Sequence, residues 1–393
     1  MRTLRRPWAW ANAHEDRIRA VTAVLAAALP ILFLLAALVQ AAPFVDDVPL
    51  DSREGDDWVS YKLFAHSVYR DGLSMPVMAG AYGAQEGTVH GFLYIYFVAG
   101  VFAVFGENSS FVYVVQSALI GAAASLVHLG WRRVLSPLAA LAVLLGAALL
   151  AFADIYRSIG FRLLSENLFV FLLAATFAAY VEAHWRRSAW LATGAGILLG
   201  LAVLSRTNFL VAGLCLLAAA AAYARIRAAG VAIPAMLGIG FAVGMLPLPL
   251  RELAATGAPD LILLKPNPGD LYPPPTGSIG ELVEHYVRRV LFTIGFTTAQ
   301  EPGYRWRPHW LLLWSGALAW LIWRVRRPRL DPPETFALLV IVTYLGPVIA
   351  LSYPSNYGAR MITVALSIVL GLAILGFDRW ARGRDGVSRP GGG

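Results

Sequence analysis

The stretch that decides the fold is Val21-Thr-Ala-Val-Leu-Ala-Ala-Ala-Leu-Pro30-Ile-Leu-Phe-Leu-Leu-Ala-Ala-Leu-Val-Gln-Ala-Ala42, which contains no charged side chain. A helix needs roughly 20 consecutive apolar residues to cross the hydrocarbon core of a bilayer, and this segment is long enough. It follows an arginine-rich N-terminus that lacks a convincing signal-peptidase site. We therefore expect a retained membrane anchor rather than a cleaved signal peptide.

The composition of the whole chain extends this expectation. The 393 residues are 58% hydrophobic and 14% charged, and the mean hydropathy is +0.62. A soluble domain does not need that much apolar surface, so we expect an integral membrane protein of many spans. The net charge of +8 comes almost entirely from arginines, which is typical of membrane topology signals and does not indicate a nucleic-acid partner. Cys215 is the only cysteine, which excludes an intramolecular disulfide and a zinc site built from cysteines.

Nine further apolar segments are candidate spans. They cover residues 111–130, 137–153, 166–181, 190–204, 209–223, 231–250, 310–323, 336–351 and 361–377. The predicted fold class is therefore all-α: a polytopic membrane protein with about ten transmembrane helices. Juxtamembrane helices are expected in the first outer loop and in the long outer loop.

The topology depends on the short apolar segment 91–105. If this segment spans, the later arginine clusters face the side opposite the basic N-terminus, against the positive-inside rule. If it lies in the interface, those clusters and both termini are cytoplasmic. We predict the second arrangement, in a bacterial inner or plasma membrane.

The outer segments do not predict a soluble domain. Residues 43–108 and 251–309 form the two long outer loops, and an amphipathic helical pattern covers residues 279–296. Neither loop is long enough to bury a core of its own. We predict one transmembrane domain over residues 1–393.

An acidic pair opens the first outer helix, in Gly55-Asp56-Asp57-Trp58-Val59-Ser60-Tyr61-Lys62-Leu63-Phe64-Ala65-His66. Apolar and aromatic residues recur there at spacings of three and four, which predicts a helix. Carboxylates in its first turn are suited to acid–base chemistry beside lipid, although they also serve as ordinary helix caps. Asp56 is favoured as a base because Asp57 adjoins the helical Trp58 and so resembles a plain cap.

Further charges lie at the same predicted outer face. They are Arg157, Glu166, Arg206 and Arg360, with Lys62 on the acidic helix. Singly, ionisable residues at helix ends are more often boundary residues than sites. Arginines that converge on an outer cavity would nevertheless suit a phosphate, and carboxylates there could accept a proton from a hydroxyl. The paired carboxylates also suit a divalent cation, although no Asp-x-Asp motif or histidine cluster accompanies them.

The order of these motifs resembles the GT-C glycosyltransferase superfamily, in the branch of the protein O-mannosyltransferases and the lipid A aminoarabinose transferase. The resemblance rests on motifs spread over most of the chain. They are Asp56-Asp57-x3-Tyr61-x3-Ala65-x6-Gly72, the aromatic stretch from His90 to Phe105-Gly106, Gly130-Trp-Arg-Arg, Phe161-Arg162-Leu-Leu-Ser165-Glu166, Gly196-Ile-Leu-Leu-Gly200 to Ser205-Arg206, and Tyr357-Gly-Ala-Arg360. The family often has Asp-Glu where this chain has Asp56-Asp57.

The resemblance implies an inverting transfer of a sugar from a polyprenyl-phosphate donor to a hydroxyl of a glycan, lipid or protein acceptor. Asp56 or Asp57 would be the base, and Glu166 would line the same cavity. Arg206, Arg360 and Lys62 would contact the phosphate, and we group Arg157 with them by its predicted position. The protein would then act in the cell envelope, with membrane lipids around it.

Two alternatives stay open. A polytopic transporter or lipid-carrier flippase would place charges or broken helices near the bilayer midplane and often has repeated halves. The outer loop 43–108 has no repeat in this chain. A non-catalytic subunit that kept the fold is the third interpretation.

Overall fold

The computed structural model describes residues 14–41, 57–72, 92–152, 165–206, 209–226, 231–256, 278–284, 287, 308–325, 330–346 and 356–383. Regular secondary structure in these ranges is helical, and they contain no strand. The predicted all-α class is therefore confirmed for this part of the chain.

The helices are numbered in chain order. The first seven are α1 (Glu15–Ala41), α2 (Asp57–Asp71), α3 (Phe92–Phe105), α4 (Ser109–Trp131), α5 (Pro137–Leu150), α6 (Ser165–Arg186) and α7 (Ala189–Ser205). The remaining six are α8 (Leu210–Ile226), α9 (Ala232–Met245), α10 (Pro247–Thr256), α11 (Pro308–Val325), α12 (Pro332–Leu339) and α13 (Asn356–Gly383). A π-helical segment, Val340–Leu345, continues α12.

Four helical segments of the described chain are long and apolar enough to cross a membrane. They are Glu15–Val39, Ser109–Trp131, Ser165–Arg186 and Ala232–Leu250. Shorter apolar helices accompany them, among them Pro137–Leu150 and Ala189–Ser205. The chain is thus a helical membrane protein by length and composition, and the count of ten spans stays a prediction.

Helices α1 and α4 pack antiparallel. Ser125 Oγ donates a hydrogen bond of 2.6 Å to the carbonyl oxygen of Ala26. Gly121, one turn earlier on α4, faces the backbone of Leu29, further along α1. A side chain at Gly121 would press against that backbone, so the glycine permits the close approach.

The bundle has two distinct ends. We call the end that contains Arg19, Arg132 and Arg186 the basic end, since α1 begins there and α4 and α6 finish there. We call the opposite end, which contains Ser165 and Arg206, the loop end.

Buried carboxylates at the basic end form hydrogen bonds that connect neighbouring helices. The carboxylate of Glu334 on α12 accepts hydrogen bonds from Trp320 Nε1 at 3.0 Å and from Arg324 Nη2 at 2.6 Å, both on α11. On α13, the buried Asp378 accepts from the backbone nitrogen and the hydroxyl of Ser136, the N-cap of α5. Hydrogen-bonded pairing is what makes such buried carboxylates tolerable.

Helices α2 and α3 lie side by side near the loop end and run in the same direction. Tyr61 packs on Tyr94, and His66 packs on Phe102 farther along both helices. Helix α3 has only 14 residues, about 21 Å at 1.5 Å per residue, which is short for a hydrocarbon core of roughly 30 Å. Gly106 ends α3 with a φ of +83°, a conformation that favours glycine, and allows the tight turn into α4.

Two boundaries differ from the sequence prediction. The segment 231–250 is interrupted at Leu246 because Pro247 and Pro249 lack the backbone N–H that a continuous helix requires. In the long segment 251–309, residues 279–284 are helical, with Ser278 and Glu281 capping that turn reciprocally, whereas most of the predicted helix lies outside the described residues.

Candidate functional site

The centre of the candidate site is an ion pair at the loop end. Glu166 lies in the first turn of α6, and Arg206 follows the last residue of α7. Arg206 Nη1 lies 2.8 Å from Glu166 Oε1, and the two side chains are 8% and 3% exposed. The α6–α7 hairpin brings them together because its two helices run antiparallel and its open end lies here.

Helix α2 reaches this ion pair through Tyr61. Its hydroxyl lies 3.2 Å from Ser165 Oγ, and that oxygen lies 3.5 Å from Glu166 Oε2. The ring of Tyr61 packs edge-on against Tyr94 of α3. One buried tyrosine therefore joins helices α2 and α3 to the first turn of α6.

A second buried polar contact ties α3 to the bundle. The Tyr94 hydroxyl donates to Gln116 Oε1 on α4, and both side chains are fully buried. Buried polar groups of this kind are costly unless they are paired, so this contact fixes the position of α3 on α4. That position in turn sets where Tyr61 and α2 can lie.

Two of the predicted site residues lie on α2. Asp57 is its first helical residue, one turn before Tyr61 and so about 6 Å away along the helix axis. The structure describes the helical backbone there and not the side chain of Asp57. Lys62, next to Tyr61, is buried.

Aromatic rings pack next to the ion pair. Phe169, one turn beyond Glu166, contacts Phe209, three residues after Arg206, with ring centroids 4.9 Å apart. Tyr344 contacts both rings, at 5.7 and 5.3 Å, from the π-helical segment after α12. Single π-helical turns often occur at functional sites. This one places Tyr344 against the two phenylalanine rings that lie next to the Glu166–Arg206 ion pair.

A polar cluster lies at the far end of α2. Arg70 holds the Glu107 carboxylate with two hydrogen bonds of 2.8 and 2.7 Å, and His66 Nδ1 lies 3.1 Å from the same carboxylate. The hydrogen bond from Arg70 lowers the pKa of Glu107. Burial lowers the pKa of His66 in spite of the nearby Glu107 carboxylate, and Lys62 and Arg70 lower it further.

The remaining predicted residues are not placed by side chain. Asp56 and Arg157 lie outside the described residues. Arg360 lies in the first turns of α13, where only the backbone is described. Of the seven predicted residues, the structure therefore brings Glu166 and Arg206 into contact and buries Lys62.

The described part of the chain contains no group of three or more histidine, cysteine, aspartate or glutamate side chains that could hold a metal ion. Glu166 is engaged by Arg206 instead. The divalent cation that the acidic pair allows stays a prediction, because Asp56 lies outside the described residues.

Sequence reasoning missed the polar groups that connect the helices. The hydroxyls of Tyr61 and Ser165 and the amide of Gln116 were not assigned a role. Ser165 adjoins Glu166, and Tyr61 follows Asp57 by one helical turn. Their spacing from predicted site residues could therefore have indicated that both hydroxyls belong to the site. Gln116 in an otherwise apolar span was a second signal, because an amide there needs a partner.

A separate apolar groove of about 510 Å³ lies between α5, α11 and α13. Its lining includes Gly146, Gly316 and Leu370, and none of the polar residues described above at the loop end. The groove and the candidate site are therefore distinct.

Comparisons of the chain with protein-family models, with curated proteins and with solved structures find no match.

Proposed function

We propose that the protein is an inverting glycosyltransferase that uses a polyprenyl-phosphate sugar donor and acts on the outer face of the membrane. The observation that carries the proposal is the buried Glu166–Arg206 ion pair, linked through Ser165 and Tyr61 to the helix that Asp57 begins. A guanidinium and a carboxylate-bearing helix end are thereby held at one end of the bundle. These are the two groups that such a transfer needs.

In the proposed reaction, the acceptor hydroxyl oxygen attacks the anomeric carbon of the sugar. Asp56 or Asp57 takes the hydroxyl proton as the new carbon–oxygen bond forms. The bond between the anomeric carbon and the phosphate oxygen breaks, and its electron pair leaves with the lipid phosphate. Arg206 stabilises the charge that develops on that phosphate, with Arg360, Lys62 and Arg157 as further candidates.

Within this proposal Glu166 has a positioning role. Its carboxylate is engaged by Arg206, so its contribution is to orient the guanidinium rather than to accept the acceptor's proton. Arginine has five N–H donors in a fixed plane, and an oriented guanidinium can present a pair of them to a phosphate. A lysine in its place keeps the charge and loses that geometry.

The arrangement of α2 and α3 supports a topology with ten spans and both termini in the cytoplasm. Helix α3 contacts α4 through Phe111 and Gln116, near the start of α4, whereas α1 contacts α4 as far along as Ser125. A helix that lies against one end of its neighbour fits an interfacial position better than a span. The loop end then faces outward.

The test is transfer from a panel of polyprenyl-phosphate sugars by the full chain in proteoliposomes, measured as release of polyprenyl phosphate. We expect loss of turnover in Asp56→Asn or Asp57→Asn, and at least a tenfold reduction in Arg206→Lys. Asp16→Asn and Arg19→Lys, at exposed positions on the opposite end of the bundle, are the matched controls. Full activity in both aspartate variants would overturn the assigned base.

The alternative function is a transporter or lipid-carrier flippase. It predicts movement of the intact lipid-linked sugar across the vesicle membrane with no cleavage of the phosphate–sugar bond. A fluorescent donor assayed for bond cleavage and for leaflet exchange in the same vesicles separates the two functions.

A further inference from the structure

The basic end of the bundle carries an arginine cluster around a single carboxylate. Glu182, in the last turns of α6, receives two hydrogen bonds of 2.8 Å from Arg133 and one of 2.8 Å from Arg186. Arg132 Nη2 lies 3.7 Å from the same carboxylate. Three guanidinium groups from two neighbouring helix ends therefore converge on one acid.

The charges in this cluster do not balance. One carboxylate neutralises one guanidinium, so the cluster keeps a net positive charge. Glu182 is the more enclosed member, 15% exposed, whereas Arg132, Arg133 and Arg186 are all exposed. The acid thus holds the arginines from beneath and leaves their outer surfaces accessible.

Tryptophans flank the cluster on the connection from α6 to α7. Trp185 precedes Arg186 directly and is exposed, and Trp190 in the first turn of α7 is 84% exposed. Exposed tryptophans beside arginines are typical of the level of lipid headgroups, where the ring lies among apolar groups and its N–H among polar ones.

We propose that Arg132, Arg133 and Arg186, held by Glu182 and flanked by Trp185 and Trp190, bind the phosphate headgroup of an anionic phospholipid. The argument from charge is direct: a cationic cluster at the membrane surface attracts anionic lipid by ~1 kcal/mol per arginine. The argument from geometry is that Glu182 holds three guanidinium groups close together. The paired N–H donors of a guanidinium group match the spacing of phosphate oxygens. The site is independent of the proposed transferase activity, which lies at the loop end.

The experiment is native mass spectrometry of the full chain released from nanodiscs that contain equal amounts of phosphatidylglycerol and phosphatidylcholine. We expect the wild-type chain to retain phosphatidylglycerol preferentially. The double variant R133Q/R186Q should lose most of that preference, at about fivefold per arginine, the factor that corresponds to ~1 kcal/mol. Arg19→Gln is the matched control, because Arg19 is an exposed arginine at the same end that pairs with Glu15.

Arg132→Gln keeps the proposal testable if the double variant fails to fold. Arg132 makes the longest of the three contacts, so its removal leaves both shorter pairs of Glu182 in place. We expect a smaller loss of phosphatidylglycerol in this variant. Retention equal to wild type in every cluster variant, or an equal loss in Arg19→Gln, would overturn the site.

Discussion

Arg206 Nη1 lies 2.8 Å from Glu166 Oε1, and these two residues face each other across the open end of the α6–α7 hairpin, one at the start of α6 and the other just after α7. Both side chains are almost completely shielded from solvent. A pair of this kind behaves differently from an exposed one, because removing one partner leaves the other as an uncompensated buried charge. The Glu166–Arg206 pair should therefore stabilise the bundle, in addition to its proposed role in the chemistry.

Breaking this pair should therefore destabilise the fold strongly. We expect Arg206→Gln and Glu166→Gln each to cost ~3–5 kcal/mol of unfolding free energy. The double variant should cost less than the sum of the two, because neither charge is then left alone. Denaturant unfolding in micelles measures the cycle, and additive losses would contradict a direct coupling.

The exposed pair Glu15–Arg19 is the reference for that cycle. Its members are four residues apart on α1, and both are largely solvent-accessible. Exposed ion pairs contribute at most about 1 kcal/mol, so the corresponding variants should unfold close to wild type.

Close packing of α7 against α9 gives a second prediction. A β-carbon at Gly196 would overlap the backbone carbonyl oxygen of Leu237, and backbone cannot move aside as a flexible side chain can. Gly196→Ala should therefore destabilise the bundle by ~1–3 kcal/mol. Thermal unfolding midpoints in micelles measure this loss.

Gly194 provides the matched control on the same helix. Apart from its chain neighbours and the backbone of its own helix, no described atom lies within 4 Å of a β-carbon built there, so Gly194→Ala meets open space. Alanine is the better helix former by ~1 kcal/mol, and this variant should be as stable as wild type or more stable. Equal destabilisation by both substitutions would show that helix packing is not the cause.

The pH dependence of stability around helix α2 follows from His66. Burial lowers the pKa of His66 below its ordinary value of 6.5, so the unfolded chain binds a proton that the folded chain resists. Stability from this group is present above pH 6.5 and declines as the pH falls towards the lowered pKa. His66→Gln should remove the decrease of the unfolding midpoint between pH 6.5 and the lowered pKa of His66.

Glu107 modifies this behaviour in two ways. Its carboxylate opposes the lowering of the His66 pKa, so Glu107→Gln should lower that pKa further. The loss of stability that is due to His66 should then continue to lower pH. Glu107 itself has a lowered pKa, so its own contribution is present above pH 4.5 and is lost below that value. A pH profile that is identical in wild type, His66→Gln and Glu107→Gln would contradict both assignments.

Local pattern predicted much of the helical structure. The spacing of aromatic and apolar residues after Asp57 predicted the helix that the structure shows from Asp57 to Asp71. The apolar segment 111–130 corresponds to Ser109–Trp131, because the length of a continuous apolar run is a local property of the chain.

The ion pairs could not be predicted in this way, because they depend on how helices are arranged. Glu166 and Arg206 were both expected near an outer cavity, yet their contact follows from the antiparallel α6–α7 hairpin and the rotation of each helix. Asp378 and Ser136 are farther apart in sequence, and their pairing requires α13 to return beside α5. No periodicity of the sequence encodes such a contact.

Tyr61 gives the last prediction and connects α2 to the proposed chemistry. Its hydroxyl lies 3.2 Å from Ser165 Oγ, while its ring packs on Tyr94. Tyr61→Phe removes the hydrogen bond and keeps the aromatic contact. The loss of one hydrogen bond should cost ~1 kcal/mol of stability, which is about fivefold in the equilibrium between docked and undocked α2. If α2 positions a base beside Arg206, release of polyprenyl phosphate should fall several-fold, whereas the free energy of unfolding should fall by no more than that ~1 kcal/mol. Tyr69→Phe is the control, because Tyr69 is an exposed residue of the same helix. Equal turnover in the two variants would separate α2 from the reaction, even if Arg206→Lys remained impaired.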